Sequence, residues 1–330
     1  MNFPRLLSEF LFRRGVAAIL RGLPCLVLMF GLATVSAQEY PAKSIRIITS
    51  EPGGGNDFAA RLVAPGLTIG LGQQVVIENR PGIIATEMVA KAPADGYTLL
   101  FAGNALWISP LLRARAWDPV KDFAPVSVLM SAPLLLVVHP SLPVKSVREL
   151  VALAKSRPGA LNYSTGPIGV TNHLAGELFK SVAAVNIVHI PYKGNGPANN
   201  ALLGGEVQVM FGSLGPALPH MKSGRLRALA VTTAEPSALV PGLPTVAQTV
   251  PGMVLAIPTG AWAPARTPEA IVKRLAAEIQ RIINQPDIRE KFVASGAEVV
   301  GSTPEYLDEL RRADMARLSK VIKDAGIREE

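Results

Sequence analysis

The chain alternates short apolar, β-branched runs with helical stretches, and the joints between them are rich in glycine and hydroxyl side chains. Strand-like runs fall at 44–48, 74–78, 97–101, 161–163, 186–190, 207–211 and 226–232, with a wholly apolar run at 133–138. Helical patterns fall between them. One begins near Phe58, and others cover 86–91, 171–182, 197–203 and 216–222, with a further one capped by Ser146 and running through Ala154 and Lys155. Strand followed by helix, repeated, leaves a chain few options. It predicts an α/β fold of mostly parallel sheets covered by helices on both faces.

The last third reads differently. Pro236, Pro241, Pro244, Pro251, Pro258 and Pro264 interrupt an extended region, which reads as a linker crossing back between two lobes. Thr267-Pro268-Glu269 and Thr303-Pro304-Glu305 each read as a helix start, with a capping Thr and Pro in the first turn. Pro286 reads as the stop of the first of these helices. Pro65-Gly66 lies inside the helix beginning near Phe58, and an interior Pro predicts a break or bend there.

Arg5, Arg13, Arg14 and Arg21 precede an apolar stretch at 23–35, followed by Val35-Ser36-Ala37. This is the pattern of a cleavable export signal, with cleavage expected after Ala37. Cleavage removes the sole cysteine, Cys25, so the mature chain relies on its core rather than on disulfides. The net charge of +8 over 330 residues also falls, because the leader is arginine-rich. Aromatics are 5% and no basic block interleaves with them, so nucleic-acid binding is not expected. The mean hydropathy of +0.30 comes from dispersed apolar residues, not from spanning segments.

Two loops carry the chemistry. Glu51-Pro52-Gly53-Gly54-Gly55-Asn56-Asp57 joins a strand to a helix. Glycines let main-chain N–H groups approach a ligand, and the helix end adds partial positive charge, so Gly53, Gly54, Gly55, Asn56 and Asp57 form a candidate anion cradle. A plain turn capped by Asn56 or Asp57 explains the same residues. The loop is neither a dinucleotide fingerprint, since Phe58 takes the third Gly position, nor a Walker loop. The second loop spans 163–173 and offers Ser164, Thr165, Gly166, Thr171 and Asn172; helix capping by Thr171 or Asn172 is its alternative reading. Tyr192-Lys193-Gly194 and Phe211-Gly212-Ser213 end two further strands. All four lie at carboxyl ends of expected parallel strands, where open α/β sheets bind ligands. No nucleophile elbow, HExxH or EF-hand pattern occurs, and no metal site or cofactor is expected.

At these loops the sequence resembles the Bug family, periplasmic receptors of the tripartite tricarboxylate transporter type. The resemblance runs from Tyr40 to the C-terminus. It rests on PGGGND (52–57), ENRPG (78–82), APADGYTLL (92–100), WDPVKDFAPVS (117–127), VVHPSLPVKSVREL (137–150), HLAGELFK (173–180), PYKG (191–194) and ALPHMKSGRLRALAVT (217–232). It implies a two-lobed periplasmic binding protein, monomeric, that closes over a small carboxylate and hands it to a membrane permease. The implied segments are a signal peptide at 1–37, one lobe from 38–138 with 250–330, and another from 139–249. Carried over by position, Gly53, Gly54 and Asp57 serve one lobe, Ser164, Thr165 and Thr171 the other, with Phe211 to Ser213 near the ligand's far end. The implied role is receptor, not enzyme; the alternatives are a hydrolase-like enzyme in the same cleft or a ligand sensor without a permease.

Several positions depart from the family pattern. Ser50 and Glu51 precede the glycines where an aromatic and a small residue or Pro are usual. Ile83-Ile84 follow Gly82 in a loop about three residues shorter. Gly212 stands where Asp is frequent, which argues against an amino-acid ligand. A carboxylate at Glu51 beside the cradle would repel an acid unless it points away, and the departures leave three readings of the pocket: larger, more apolar, or degenerate.

Overall fold

The computed structural model describes residues 40–328. The expected signal peptide, 1–37, lies outside the described residues. Residues from Lys43 onward form a compact unit.

Strand β1 (Ile45–Thr49) pairs in parallel with β2 (Val75–Asn79) and β3 (Thr98–Gly103). Helices α1 (Gly55–Leu71) and α2 (Gly82–Ala90) connect them, and α3 (Ala105–Leu112) follows β3. Strand β4 (Phe123–Val138) is the longest among the described residues. It is followed by α4 (Val147–Ser156), β5 (Asn162–Thr165), α5 (Thr171–Ala183), β6 (Val188–Pro191), α6 (Asn195–Leu203), β7 (Val209–Ser213), α7 (Leu214–Lys222) and β8 (Arg227–Val231). The chain ends with β9 (Ala256–Pro264), α8 (Glu269–Ile283), α9 (Pro286–Ala294), β10 (Glu298–Val299) and α10 (Pro304–Asp324).

The sheet order is β2-β1-β3-β9-β4-β7-β5-β6, with β8 and β10 also on β4. Parallel pairing holds for β2-β1-β3 and for β6-β5-β7, where helices supply the crossovers. The middle is antiparallel: β9 runs against both β3 and β4, and β4 runs against β7 and β8. Strand β4 changes partners along its length. Residues up to Pro133 pair with β9, and residues from Leu134 pair with β7.

The extended region read as a linker therefore contains a central strand. Its prolines fit because Pro258 and Pro264 lie close to the ends of the β9 pairing; on the facing strand β4, Pro125 sits beside a register shift where the ladder is already interrupted. The predicted break at Pro65 does not occur: α1 runs through it. Pro65 and Arg61 are both exposed, so the Arg61 carbonyl that loses its helical partner faces water. Gly66 beside it is needed for packing, since a Cβ there would lie 2.7 Å from Ile282 Cγ1 on α8. Ser146 and Thr303 cap their helices through the N–H groups of Glu149 and Tyr306. Thr267 does not; its hydroxyl donates to the Pro264 carbonyl, and Pro268 holds the cap position. Pro286 opens α9 rather than merely ending α8.

The large core cluster draws Trp107, Trp262, Tyr163, Phe179 and Phe211 together with the inner faces of the strands. A second cluster around Leu135, Val137, Leu202 and Met210 covers the other face of the β4–β7 region. This rigid frame holds the strand ends from which the loops project.

Candidate functional site

The loop after β1 is built around one carboxylate. Gly53 adopts a left-handed φ of +83°, which turns its N–H toward Asp57 Oδ2 at 2.9 Å. Arg61 Nε donates to the same oxygen at 3.0 Å. Asn79 Nδ2 donates to Asp57 Oδ1 at 2.8 Å and to the Ser50 carbonyl at 2.7 Å. Burial alone would raise the Asp57 carboxyl, but the hydrogen bonds from Arg61, Asn79 and Gly53 outweigh it and hold its pKa at about 2. Asp57 is thus a permanently charged brace for the loop, and Gly53 N–H is committed to it.

The start of α1 is open in the complementary direction. Gly54 holds the cap position with extended backbone, and no side chain caps this helix end. The first amides of a helix have no intrahelical acceptor. Those of Gly55 and Asn56 are therefore available to an anion. The Asn56 side chain is fixed, its Oδ1 accepting from Thr259 Oγ1 at 3.0 Å and its Nδ2 donating to Ser50 Oγ at 3.4 Å.

Asn56, Ser50 and Glu51 form one edge of a cavity of about 410 Å³. The cavity lies at the carboxyl ends of β1, β2 and β3, between α2 and α3, which is where the chain reverses direction across the sheet. Thr86 and Ser109 add hydroxyls; Leu100, Leu106, Ala85 and Trp117 form the interior wall. Trp117 is anchored by its Nε1 donating to the Leu106 carbonyl at 2.9 Å.

A second cavity of about 350 Å³ adjoins the first, sharing Ala105 and Ser109 of α3. Its far side is the loop 167–171 ahead of α5. Thr171 Oγ1 donates to Asn104 Oδ1 at 3.3 Å, and Asn104 Nδ2 donates to the Ala256 carbonyl at 3.3 Å. The end of β3, the start of α5 and the start of β9 thus meet at Asn104. Gly169 has φ +87° and a Cβ there would lie 2.8 Å from Leu112 Cδ1, so glycine is required for the loop to approach α3. The start of α5, like that of α1, has no side-chain cap.

Beneath this second loop lies a polar stack. The Tyr163, His189 and His173 rings stack in sequence, with centroids 5.0 Å and 4.1 Å apart. Gly169 N–H donates to His173 Nδ1 at 3.0 Å, so that nitrogen is unprotonated. Thr165 Oγ1 donates to the Gly166 carbonyl at 2.8 Å and lies 2.6 Å from His189 Nε2, which then donates to it. Tyr163 Oη donates to Glu177 Oε1 at 2.5 Å, and Lys180 Nζ donates to the same oxygen at 2.7 Å. Burial lowers His173, and burial together with His173 lowers His189 to about 4. Both rings are neutral at neutral pH and serve as props for the loop.

The sequence candidates thus separate by what their side chains do. Gly54, Gly55 and Asn56 stand at the open end of α1, and Thr171 lines the second cavity. Ser164, Thr165, Asn172 and Phe211 are buried. Ser164 Oγ donates to the Ala198 carbonyl at 3.0 Å, and Asn172 Nδ2 donates to the Phe211 carbonyl at 2.5 Å. Gly166 is packed so closely that a Cβ would lie 2.7 Å from Asn195 Oδ1. Ser213 holds the cap position of α7 without a side-chain hydrogen bond. The sequence reading missed Asn104, Thr86, Ser109 and the Leu106–Trp117 wall. Asn104 stands one residue past β3, so the rule that selected the other strand-end loops would have found it.

The model of the tripartite tricarboxylate transporter family receptor matches residues 59–327. BugT of Bordetella pertussis is 35% identical over 302 residues, covering 89% of this chain and 93% of that protein. Among solved structures, an R. palustris protein with adipate is 37% identical, with a TM-score of 0.70, covering 88% of this chain and 99% of that one. MatC of Rhodopseudomonas palustris, with bound malate, is 30% identical, with a TM-score of 0.66, covering 86% of this chain and 100% of that one. The periplasmic binding protein BugD is 29% identical, with a TM-score of 0.67, covering 88% and 100%. The matched family is one of receptors, and the enzyme alternative raised by the cleft is set aside.

Proposed function

The chain belongs to the tripartite tricarboxylate transporter receptor family, and we propose that it is a periplasmic receptor that holds a small carboxylate between the α1 and α5 helix starts and delivers it to a membrane permease. The observation that carries this reading is the pairing of two helix N-termini without side-chain caps, each opening on one of two adjoining cavities. The Asn104–Thr171 hydrogen bond ties the start of α5 to the end of β3, whose Gly103 lines the first cavity. Carboxylate oxygens would take the amides of Gly54, Gly55 and Asn56 on one side and those of Gly166, Thr171 and Asn172 on the other. Gly53 and Asp57 brace the first loop; Ser164 and Thr165 brace the second. Phe211 accepts the Asn172 side chain on its carbonyl, and Ser213 ends β7 two residues further on.

Closure follows as a population shift toward a state in which both loops grip one ligand. The proposed lobes are 38–138 with 250–330, and 139–249, in a monomer exported by cleavage after Ala37. The change of partners on β4 between Pro133 and Leu134 supports a hinge near the first of these boundaries. Isothermal titration of the mature protein with a panel of carboxylic acids tests the reading: saturable binding of at least one acid supports it, and no binding by a cooperatively folded protein overturns it. Uptake of that acid by cells with and without the chain tests the delivery step.

A further inference from the structure

The larger cavity has a chemical bias that narrows the ligand class, given the carboxylate-receptor reading above. Among the described residues that line the two cavities, no Lys, Arg or His is present, and the one charged side chain is Glu51. Glu51 is exposed at the mouth. The interior wall is made by Ala85, Leu100, Leu106 and Trp117, all buried, with the carbons of Phe101 and Ala102 beside them. Two apolar side chains are left open at the rim, Ile83 at 41% exposure on the first cavity and Ile168 at 49% on the second.

Main-chain amides at the two uncapped helix starts suit one carboxylate. Beyond those amides, a second carboxylate entering the larger cavity would lose its hydration against an apolar wall, gain no cation, and stand near Glu51. An alkyl or aryl body in the same place gains from burial and covers Ile83. The volume of about 410 Å³ accommodates a ring or a short chain. We propose that this receptor takes a monocarboxylate with an apolar body, aryl or medium-chain alkyl, in preference to dicarboxylates, with Glu51 and the Leu100–Leu106–Trp117 wall setting the preference.

The test is titration of the mature protein with phenylacetate and hexanoate against adipate and malate. Binding of either monoacid at least tenfold tighter than both diacids is expected. Diacids binding equally or more tightly overturn the ligand class and leave the carboxylate-receptor reading standing. Binding by no acid overturns both. Two exposed substitutions, which leave the core intact, locate the effect. Glu51→Gln should shrink the monoacid preference at least threefold by restoring diacid affinity. Ile83→Asp should weaken phenylacetate at least fivefold with an unchanged melting temperature. A preference that survives Glu51→Gln unaltered, or a phenylacetate affinity unmoved in Ile83→Asp, overturns the assignment of these residues.

Discussion

The main-chain N–H of Gly53 donates to Asp57 Oδ2, four residues along the chain, at 2.9 Å. The bond closes the glycine loop on itself and turns one of its amides inward. The open amides therefore begin at Gly54 and continue into the first turn of α1. A carboxylate inside the loop that would grip a carboxylate is tolerated because Arg61 and Asn79 neutralise and tie it from the other side.

Asp57→Ala removes the acceptor for Gly53, Arg61 and Asn79 together. A hydrogen bond to a charged group contributes about 1.5–3 kcal/mol, and exposed Arg61 adds little, so a loss of about 2 kcal/mol is expected in chemical denaturation. Ligand affinity should fall as well, because the loop loses its brace. In the parent protein Asp57 is held at about 2 against an ordinary 3.8, so its contribution is present above pH 3.8 and disappears as pH falls toward 2.

The histidine stack sets a second acid limit at higher pH. His189 is lowered from 6.5 to about 4, and His173 is lowered too, chiefly by burial. Depressed histidines favour folding while neutral, so this stability is complete above pH 6.5 and declines as pH falls toward 4. Melting temperature should drop across that window. Imidazole NMR titration should show the His189 midpoint well below that of a free histidine. Protonation of His173 Nδ1 would also remove the acceptor for Gly169 N–H, so the protection factors of the 166–170 loop amides, corrected for the intrinsic slowing of exchange in acid, should fall at low pH.

Gly176→Ala tests the packing behind the second loop. A Cβ there would fall 2.2 Å from Tyr163 Cε2, a ring held by Glu177 and stacked on His189. The ring must shift, and a loss of about 2–3 kcal/mol in denaturant unfolding is expected.

Pro65→Ala tests the uninterrupted helix. The substitution restores an N–H for the exposed Arg61 carbonyl and removes a ring from the helix interior. A gain of about 2 kcal/mol is expected, less than the full interior-proline cost because the unfolded chain regains freedom.

Much of the fold was legible because period and capping are local. Ser146 and Thr303 announced their helices, and the strand–helix alternation announced the parallel ends of the sheet. The middle was not legible. β9 carries Pro258 and Pro264, which read as interruption until the ladder shows them near its ends, and α3 is so uniformly apolar that it has no clear face. The site divided the same way. The glycine loop was visible as an opening, but nothing in the sequence shows that Ser164, Thr165 and Asn172 spend their side chains on Ala198, Gly166 and Phe211. The apolar wall was equally hidden: Leu100, Leu106 and Trp117 become neighbours only through the turns after β3.

Gly54→Val probes the open loop without disturbing its frame. A Cβ at Gly54 would meet only the Glu51 carbonyl, at 3.6 Å, and Ser50 Oγ, at 3.9 Å, and its φ of −80° suits any residue. The melting temperature without ligand should stay within a few degrees of the parent. Affinity for any acid the parent binds should fall at least tenfold.

The gripping amides themselves can be watched by backbone NMR during titration with phenylacetate or, should it bind tighter, adipate. Large downfield proton shifts are expected at Gly54, Gly55 and Asn56 and at the start of α5, saturating with a single affinity. Saturable binding that leaves those amides unmoved while others shift would contradict the assignment of the two helix starts as the carboxylate grip.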